Sequence, residues 1–230
     1  MLFRQLIDTA SSTYSYLLAD TGEAVLIDPV KDQLDDYLRL LRELDLRLVL
    51  AVDSHTHADH ITALGRLRSA TGCRSGFGVE TASTCASFTF ADGERLPFGR
   101  CELLAWHTPG HTDDSYCFLL PASDAGPAKL FSGDTLLIRG SGRTDFQNGD
   151  ARTQWASLQR LLTLPGDTEV WPGHDYRGWT RSSIAEEAAH NPRLQVADAE
   201  AYAKLMAELK LPNPTLMDIA VPANRACGLD

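Results

Sequence analysis

Seven histidines occur in the 230 residues, and three of them fall in one short stretch, Ser54-His55-Thr56-His57-Ala58-Asp59-His60. A polar turn capping a helix near Asp59 would account for one aspartate but not for three imidazoles beside it. Imidazole and carboxylate are the natural ligands of borderline divalent ions, so the stretch is expected to bind metal. Three further segments each carry one candidate ligand: Thr108-Pro109-Gly110-His111-Thr112, Ser132-Gly133-Asp134-Thr135 and Pro172-Gly173-His174-Asp175. Small residues before each candidate let the backbone turn sharply and bring a side chain to a common centre. Any one of these alone is an ordinary turn; together they form a constellation. His107 and His190 have no such setting and are expected to pack or to face solvent.

Each candidate group follows a strand-like segment. Thr13 to Leu18 and Ala24 to Ile27 read as two strands around the Asp20-Thr21-Gly22 turn. Leu34, Tyr37, Leu38, Leu41 and Leu44 recur at helical spacing among charges. Arg47 to Val52 is a nearly continuous apolar run, as in a strand buried on both faces, and it stops at Asp53-Ser54-His55. A helix after His60, a strand near Arg74 to Gly78, a polar hairpin region from Asp92 to Arg100, and strands at Glu102 to Trp106, Tyr116 to Leu120 and Lys129 to Ser132 follow. A helix through Trp155, Leu158, Leu161 and Leu162, a strand at Glu169 to Trp171, and helices around Ala185 to His190 and Tyr202 to Leu209 complete the pattern. With no linker and no repeat, residues 1–230 are expected to form a single domain of layered sheets and helices.

Composition narrows the functional classes. Asp plus Glu number 31 against 21 Lys plus Arg, a formal charge of −10, which argues against a chain built to bind nucleic acid. No apolar run approaches the roughly 18 to 20 residues of a membrane span, and the opening MLFRQLIDTASS has no export-signal pattern, so a cytoplasmic protein without membrane attachment is expected. The cysteines, Cys73, Cys85, Cys101, Cys117 and Cys227, are odd in number and widely spaced. They fit neither a disulfide framework nor a zinc ribbon, and are expected to be mostly small buried apolar residues in a reducing compartment.

The motif His55-Thr56-His57-Ala58-Asp59-His60, with His111, Asp134 and His174, resembles that of the metallo-β-lactamase superfamily. The resemblance implies an α/β fold, the four-layer αβ/βα sandwich, with the metal site at one sheet edge. In binuclear hydrolases of that superfamily His55, His57 and His111 would hold one metal and Asp59, His60 and His174 the other, with Asp134 bridging. In its mononuclear iron oxygenases only the positions of His55, His111 and Asp134 bind, leaving His57, Asp59, His60 and His174 to orient ligands and order water.

Outside the ligands, Leu137 to Gln147, His174-Asp175-Tyr176-Arg177-Gly178, Asn191-Pro192-Arg193-Leu194 and the tail Asp218 to Asn224 are similar to persulfide dioxygenases (sulfur dioxygenases, ETHE1-like proteins). Ser141 stands where some members have cysteine. The resemblance implies one Fe(II) per chain on His55, His111 and Asp134, the catalytic centre, and a homodimer. The implied reaction takes glutathione persulfide, O₂ and water to glutathione and sulfite. Two imidazoles and one carboxylate on one face of Fe(II) leave positions where oxygen and a sulfur ligand can meet. Arg143, flanked by Gly140-Ser141-Gly142, is the first candidate to grip a glutathione carboxylate, unless Asp145 engages it; Tyr176 and Arg177 are the second. The alternatives are a zinc-dependent thioester hydrolase of glyoxalase II type, and a non-enzymatic metal-binding or sulfur-sensing protein, which the complete ligand set disfavours.

Overall fold

The computed structural model describes residues 1–83, 85–124, 126–212 and 216–229. Strand β1 (Leu2–Asp8), β2 (Thr13–Asp20) and β3 (Glu23–Ile27) form an antiparallel meander. Helix α1 (Leu34–Glu43) then returns the chain so that β4 (Arg47–Val52) lies parallel to β3, and α2 (Leu64–Thr71) does the same for β5 (Arg74–Gly78), with β6 (Phe88–Phe90) at the edge. The second sheet runs β7 (Arg95–Phe98), β8 (Cys101–His107), β9 (Tyr116–Leu120) and β10 (Lys129–Gly133), all antiparallel. Helix α3 (Ala151–Leu161) crosses to β11 (Glu169–Pro172), parallel to β10, and β12 (Ser182–Ser183) closes that edge. Helices α4 (Ile184–His190), α5 (Ala199–Ala207) and α6 (Met217–Arg225) follow.

Both faces of the sheets are covered, which explains why their strands read as apolar runs rather than alternating patterns. Along β2, Tyr14, Tyr16 and Leu18 point into the space between the sheets, while Leu17 and Ala19 point to the layer of α1 and α2. From the opposite side Phe118, Phe131 and Trp171 meet Tyr16 and Leu18, and Cys117, Leu130 and Val170 face the helices with Leu158 and Tyr202. The result is the expected order of helix, sheet, sheet, helix.

Three strands and one helix escape the sequence reading. Strand β1 is half-exposed without alternation, as an edge strand can be. Strands β6 and β12 have only three and two residues, and α6 contains Pro222, which disguises it. The expectation for the cysteines needs a correction. Cys85 and Cys227 form a disulfide across 142 residues, with Cα atoms 5.9 Å apart. Spacing could not show it, because the fold alone brings the C-terminal turn against the segment after β5. Cys73 and Cys117 are buried free thiols and Cys101 is half-buried. His107 packs on Tyr116, with Nε2 2.9 Å from the Asp113 carbonyl, and His190 is exposed at the end of α4.

Candidate metal centre

All the candidate ligands emerge at the same edge of the two sheets. The His55–His60 loop leaves β4, His111 lies between β8 and β9, Asp134 follows β10 and His174 follows β11. Glycines permit the crowding this requires. A Cβ on Gly173 would stand 2.8 Å from Asp134 Oδ1, and one on Gly142 would stand 2.7 Å from the His111 ring. Tyr14 N–H donates to the Gly173 carbonyl at 2.8 Å, tying the first sheet to the His174 loop.

One donor atom each from His55, His111 and Asp134 lies within 4.8 Å of the others. The other ring nitrogens are committed in a way that sets the tautomers. His111 Nδ1 lies 2.7 Å from the Arg143 carbonyl, which can only accept, so Nδ1 carries a proton and Nε2 is the nitrogen that faces Asp134 and could ligate. Ser54 Oγ donates to Asp28 Oδ2 at 2.9 Å and therefore accepts from His55 Nδ1 at 3.0 Å, again leaving Nε2 free to ligate. Burial, reinforced by the neighbouring imidazoles, pushes His55 down to about 3, so it stands neutral. Asp134 Oδ1 accepts from His174 Nδ1 at 2.7 Å, and Oδ2 lies 3.5 Å from His111 Nε2. Burial disfavours the Asp134 carboxylate, but His174 and His111 outweigh it and hold the group well below the usual range. One imidazole nitrogen each from His55 and His111 and an ionised carboxylate are the donor set of a facial triad.

Around this trio lies a second layer. His174 is bonded at both ring nitrogens, to Asp134 and, at 2.9 Å, to Asp59 Oδ2. Burial opposes its charge, yet the two carboxylates lift it well above the ordinary histidine range, so it is an imidazolium between two anions. Thr13 Oγ1 donates to Asp59 Oδ2 at 2.9 Å, and His60 Nδ1 lies 3.1 Å from the same oxygen. His57, Asp59 and His60 also gather donor atoms within 4.8 Å. Among the described residues His57 Nδ1 and His60 Nε2 have no hydrogen-bond partner. His57 Nε2 lies 3.3 Å from Asp28 Oδ1, whose charge overrides burial and lifts His57 to about 9. Asp28, Asp53 and His57 form a third buried trio, but burial pushes Asp53 up to about 8, leaving it a neutral acid at pH 7.

Sequence reasoning missed Asp28, Thr13 and Asp114, because none lies in a histidine motif. Asp114 accepts from Thr56 Oγ1 at 2.6 Å, Thr56 N–H at 3.2 Å, Thr81 Oγ1 at 2.8 Å and Thr112 Oγ1 at 2.6 Å. It thereby knots the His55 loop to the His111 loop. Its position three residues after His111 was the available signal.

Above the trio opens a cavity of about 310 Å³, walled by Leu137, Ile138, Phe146, Tyr176 and Leu211 and by several arginines. Arg143 lines it but is engaged by Asp145 through two bonds of 2.6 Å and donates to the Pro212 carbonyl at 2.7 Å. The pairing weighed from the sequence is thus present, with the guanidinium 4.8 Å from the Phe146 ring. Tyr176 is 74% exposed at the rim and stacks on His174, with ring centroids 5.9 Å apart. Arg177 lies over Trp179. Arg193, not singled out from the sequence as a ligand-binding residue, also lines the cavity. It donates to the Ser141 carbonyl and hydroxyl, and no carboxylate pairs with it among the described residues. Ser141 is buried, its hydroxyl 2.8 Å from the Tyr202 hydroxyl.

The family description of the metallo-beta-lactamase superfamily matches residues 8–85 and 87–174, and the chain belongs to that superfamily. The chain is 45% identical to the mitochondrial persulfide dioxygenase ETHE1 of Homo sapiens, covering all of this chain and 89% of that protein. The crystal structure of ETHE1 from Myxococcus xanthus superposes with a TM-score of 0.94 at 50% identity, covering 99% of this chain and 100% of the other. A hydroxyacylglutathione hydrolase from Francisella philomiragia is more distant, at 30% identity over 85% of this chain and 82% of its own length. Within the superfamily the chain is therefore a member of the ETHE1 persulfide dioxygenase family.

Proposed function

We propose that the protein oxidises glutathione persulfide with O₂ and water to glutathione and sulfite, using one Fe(II) held by His55, His111 and Asp134. The observation that supports this best is the commitment of His174. A metal ligand in the binuclear arrangement, it is bonded at both nitrogens to Asp134 and Asp59, while His55, His111 and Asp134 gather donor atoms beside the cavity. Fe(II) on such a triad supplies open positions at which O₂ and a sulfur ligand meet. The reaction balances as written: persulfide, O₂ and one water give thiol and sulfurous acid, which ionises.

The chain's own residues orient and hold. The Arg143 carbonyl and Ser54 hydroxyl fix the two imidazoles, and His174 holds Asp134 with Oδ2 toward His111. Arg193 supplies a guanidinium without a carboxylate partner, suited to an anionic tripeptide. Arg143 contributes by exchanging Asp145 for a substrate carboxylate, and Tyr176 and Arg177 cover the ligand from the rim. Leu137, Ile138 and Phe146 shield the sulfur end from water. A cytoplasmic, thiol-rich setting and a homodimeric assembly are part of the same reading.

The partnerless His57 Nδ1 and His60 Nε2 favour a second reading, a binuclear thioester hydrolase, because a second cation would occupy them. An oxygen electrode separates the two. The proposal predicts O₂ uptake when anaerobically prepared glutathione persulfide meets the aerobic enzyme. Hydrolysis of S-lactoylglutathione without O₂ consumption would establish the alternative.

A further inference from the structure

The metal loop is held from behind by the C-terminal helix through one side chain. Asn224 is fully buried on α6. Its Nδ2 donates to the His57 and His60 carbonyls, both at 2.9 Å, and its Oδ1 accepts the Thr62 N–H at 2.8 Å. These three bonds bracket Ala58 and Asp59 and end just past the last histidine of the loop. Beyond Asn224 the chain makes a tight turn through Cys227 and Gly228, at φ of 59° and 64°. Gly65 N–H donates to the Cys227 carbonyl at 3.0 Å, and a Cβ on Gly228 would sit 2.1 Å from the Thr62 carbonyl oxygen. The same turn carries the disulfide to Cys85, beside which Ser83 Oγ donates to the Arg225 carbonyl at 3.2 Å.

We propose that Asn224 is a positioning residue of the metal loop, and that the Cys85–Cys227 disulfide is a thiol-sensitive latch that keeps it seated. Cys227 is fully buried and Cys85 only half-buried, so an attacking thiolate reaches the Cys85 sulfur. Attack forms a mixed disulfide on Cys85 and expels the Cys227 thiolate, which takes up a proton. A second thiol then resolves the mixed disulfide and frees Cys85. In sum, two molecules of a low-molecular-weight thiol lose two electrons and two protons and become a disulfide, while the protein disulfide becomes two cysteine thiols. The cross-link spans 142 residues, so opening it releases the tail to fray and withdraws Asn224 from the loop. The inference depends on the loop serving a divalent ion, whichever reaction that ion supports, so its readouts are metal affinity and amide exchange.

The test uses the full chain. Asn224→Asp is nearly isosteric and keeps the acceptor for Thr62 but removes both donors to the loop carbonyls. Anaerobic Fe(II) titration is expected to show affinity reduced about 10- to 100-fold, the range for residues that orient ligands. Hydrogen exchange is expected to quicken in the peptide covering residues 57–62 and to stay unchanged in β9. The wild-type protein treated with a thiol reductant, and Cys85→Ser, are expected to change exchange in that same peptide and to weaken Fe(II) binding about tenfold. Fe(II) affinity within twofold of wild type in Asn224→Asp, with unchanged loop exchange, would overturn the positioning role. Should that variant not fold, the reductant arm decides: loop exchange and Fe(II) affinity identical before and after reduction would overturn the latch.

Discussion

Replacing Asp114 tests whether the two histidine loops are held as one unit. Its carboxylate receives four donors, from Thr56 N–H, Thr56 Oγ1, Thr81 Oγ1 and Thr112 Oγ1. Truncation to alanine leaves Thr112 with Ser115 Oγ at 2.7 Å as an alternative partner, but strips the other three. At about 1.5 kcal/mol for each charge-assisted bond, the lower end of the usual range, Asp114→Ala costs about 4 to 5 kcal/mol. For a domain of this size each kcal/mol moves Tm by roughly 2 to 4 °C, so a fall of about 8 to 20 °C is expected by calorimetry. Asp114→Asn, which keeps one acceptor for the Thr56 and Thr81 donors, should cost less than half as much. The pH dependence follows from the carboxyl's depressed pKa: burial opposes it, and the Thr112 and Thr56 hydrogen bonds outweigh burial. The stabilisation is fully present above the unfolded value near 4 and is lost as pH falls toward the folded value. The gap between wild type and Asp114→Asn should therefore be flat above about pH 4 and narrow below it. An alanine variant melting within about 2 °C of wild type would refute the knot.

Four other variants probe the centre and its cavity. Asp134→Ala should abolish Fe(II) binding, whereas His174→Ala should weaken it about 10- to 100-fold, measured by anaerobic titration; equal loss in both would indicate a binuclear site. Gly142→Ala places a Cβ 2.7 Å from the His111 ring and 2.5 Å from the Asp134 carbonyl oxygen. Iron content and turnover should both fall while far-ultraviolet circular dichroism is retained. Arg193→Leu should raise KM for glutathione persulfide about 10- to 100-fold with kcat little changed, as expected for loss of one charged hydrogen bond to substrate. An unaltered KM would move the carboxylate grip to Arg143.

The layered fold was legible because its strands are buried on both faces and stop at polar turns. The six residues from His55 to His60 stood out as a candidate metal loop, since three imidazoles and a carboxylate in that span are a rare concentration of ligands. The supporting groups were not legible for a physical reason. Asp28 follows β3, Thr13 opens β2 and Asn224 lies on α6, so each reaches the site only through tertiary packing. Arg143 illustrates the converse limit: its sequence neighbourhood suggested a ligand grip, yet Asp145, two residues on, is the partner it takes in the unliganded fold. The disulfide was missed because cysteine spacing carries no information about a contact made by chain topology.

Metal analysis of anaerobically purified protein distinguishes one iron from two metals at this centre. About one iron per chain, little zinc, and no second equivalent on titration are expected. Two tightly held metals per chain, occupying His57 Nδ1 and His60 Nε2 as well, would contradict the single-iron proposal.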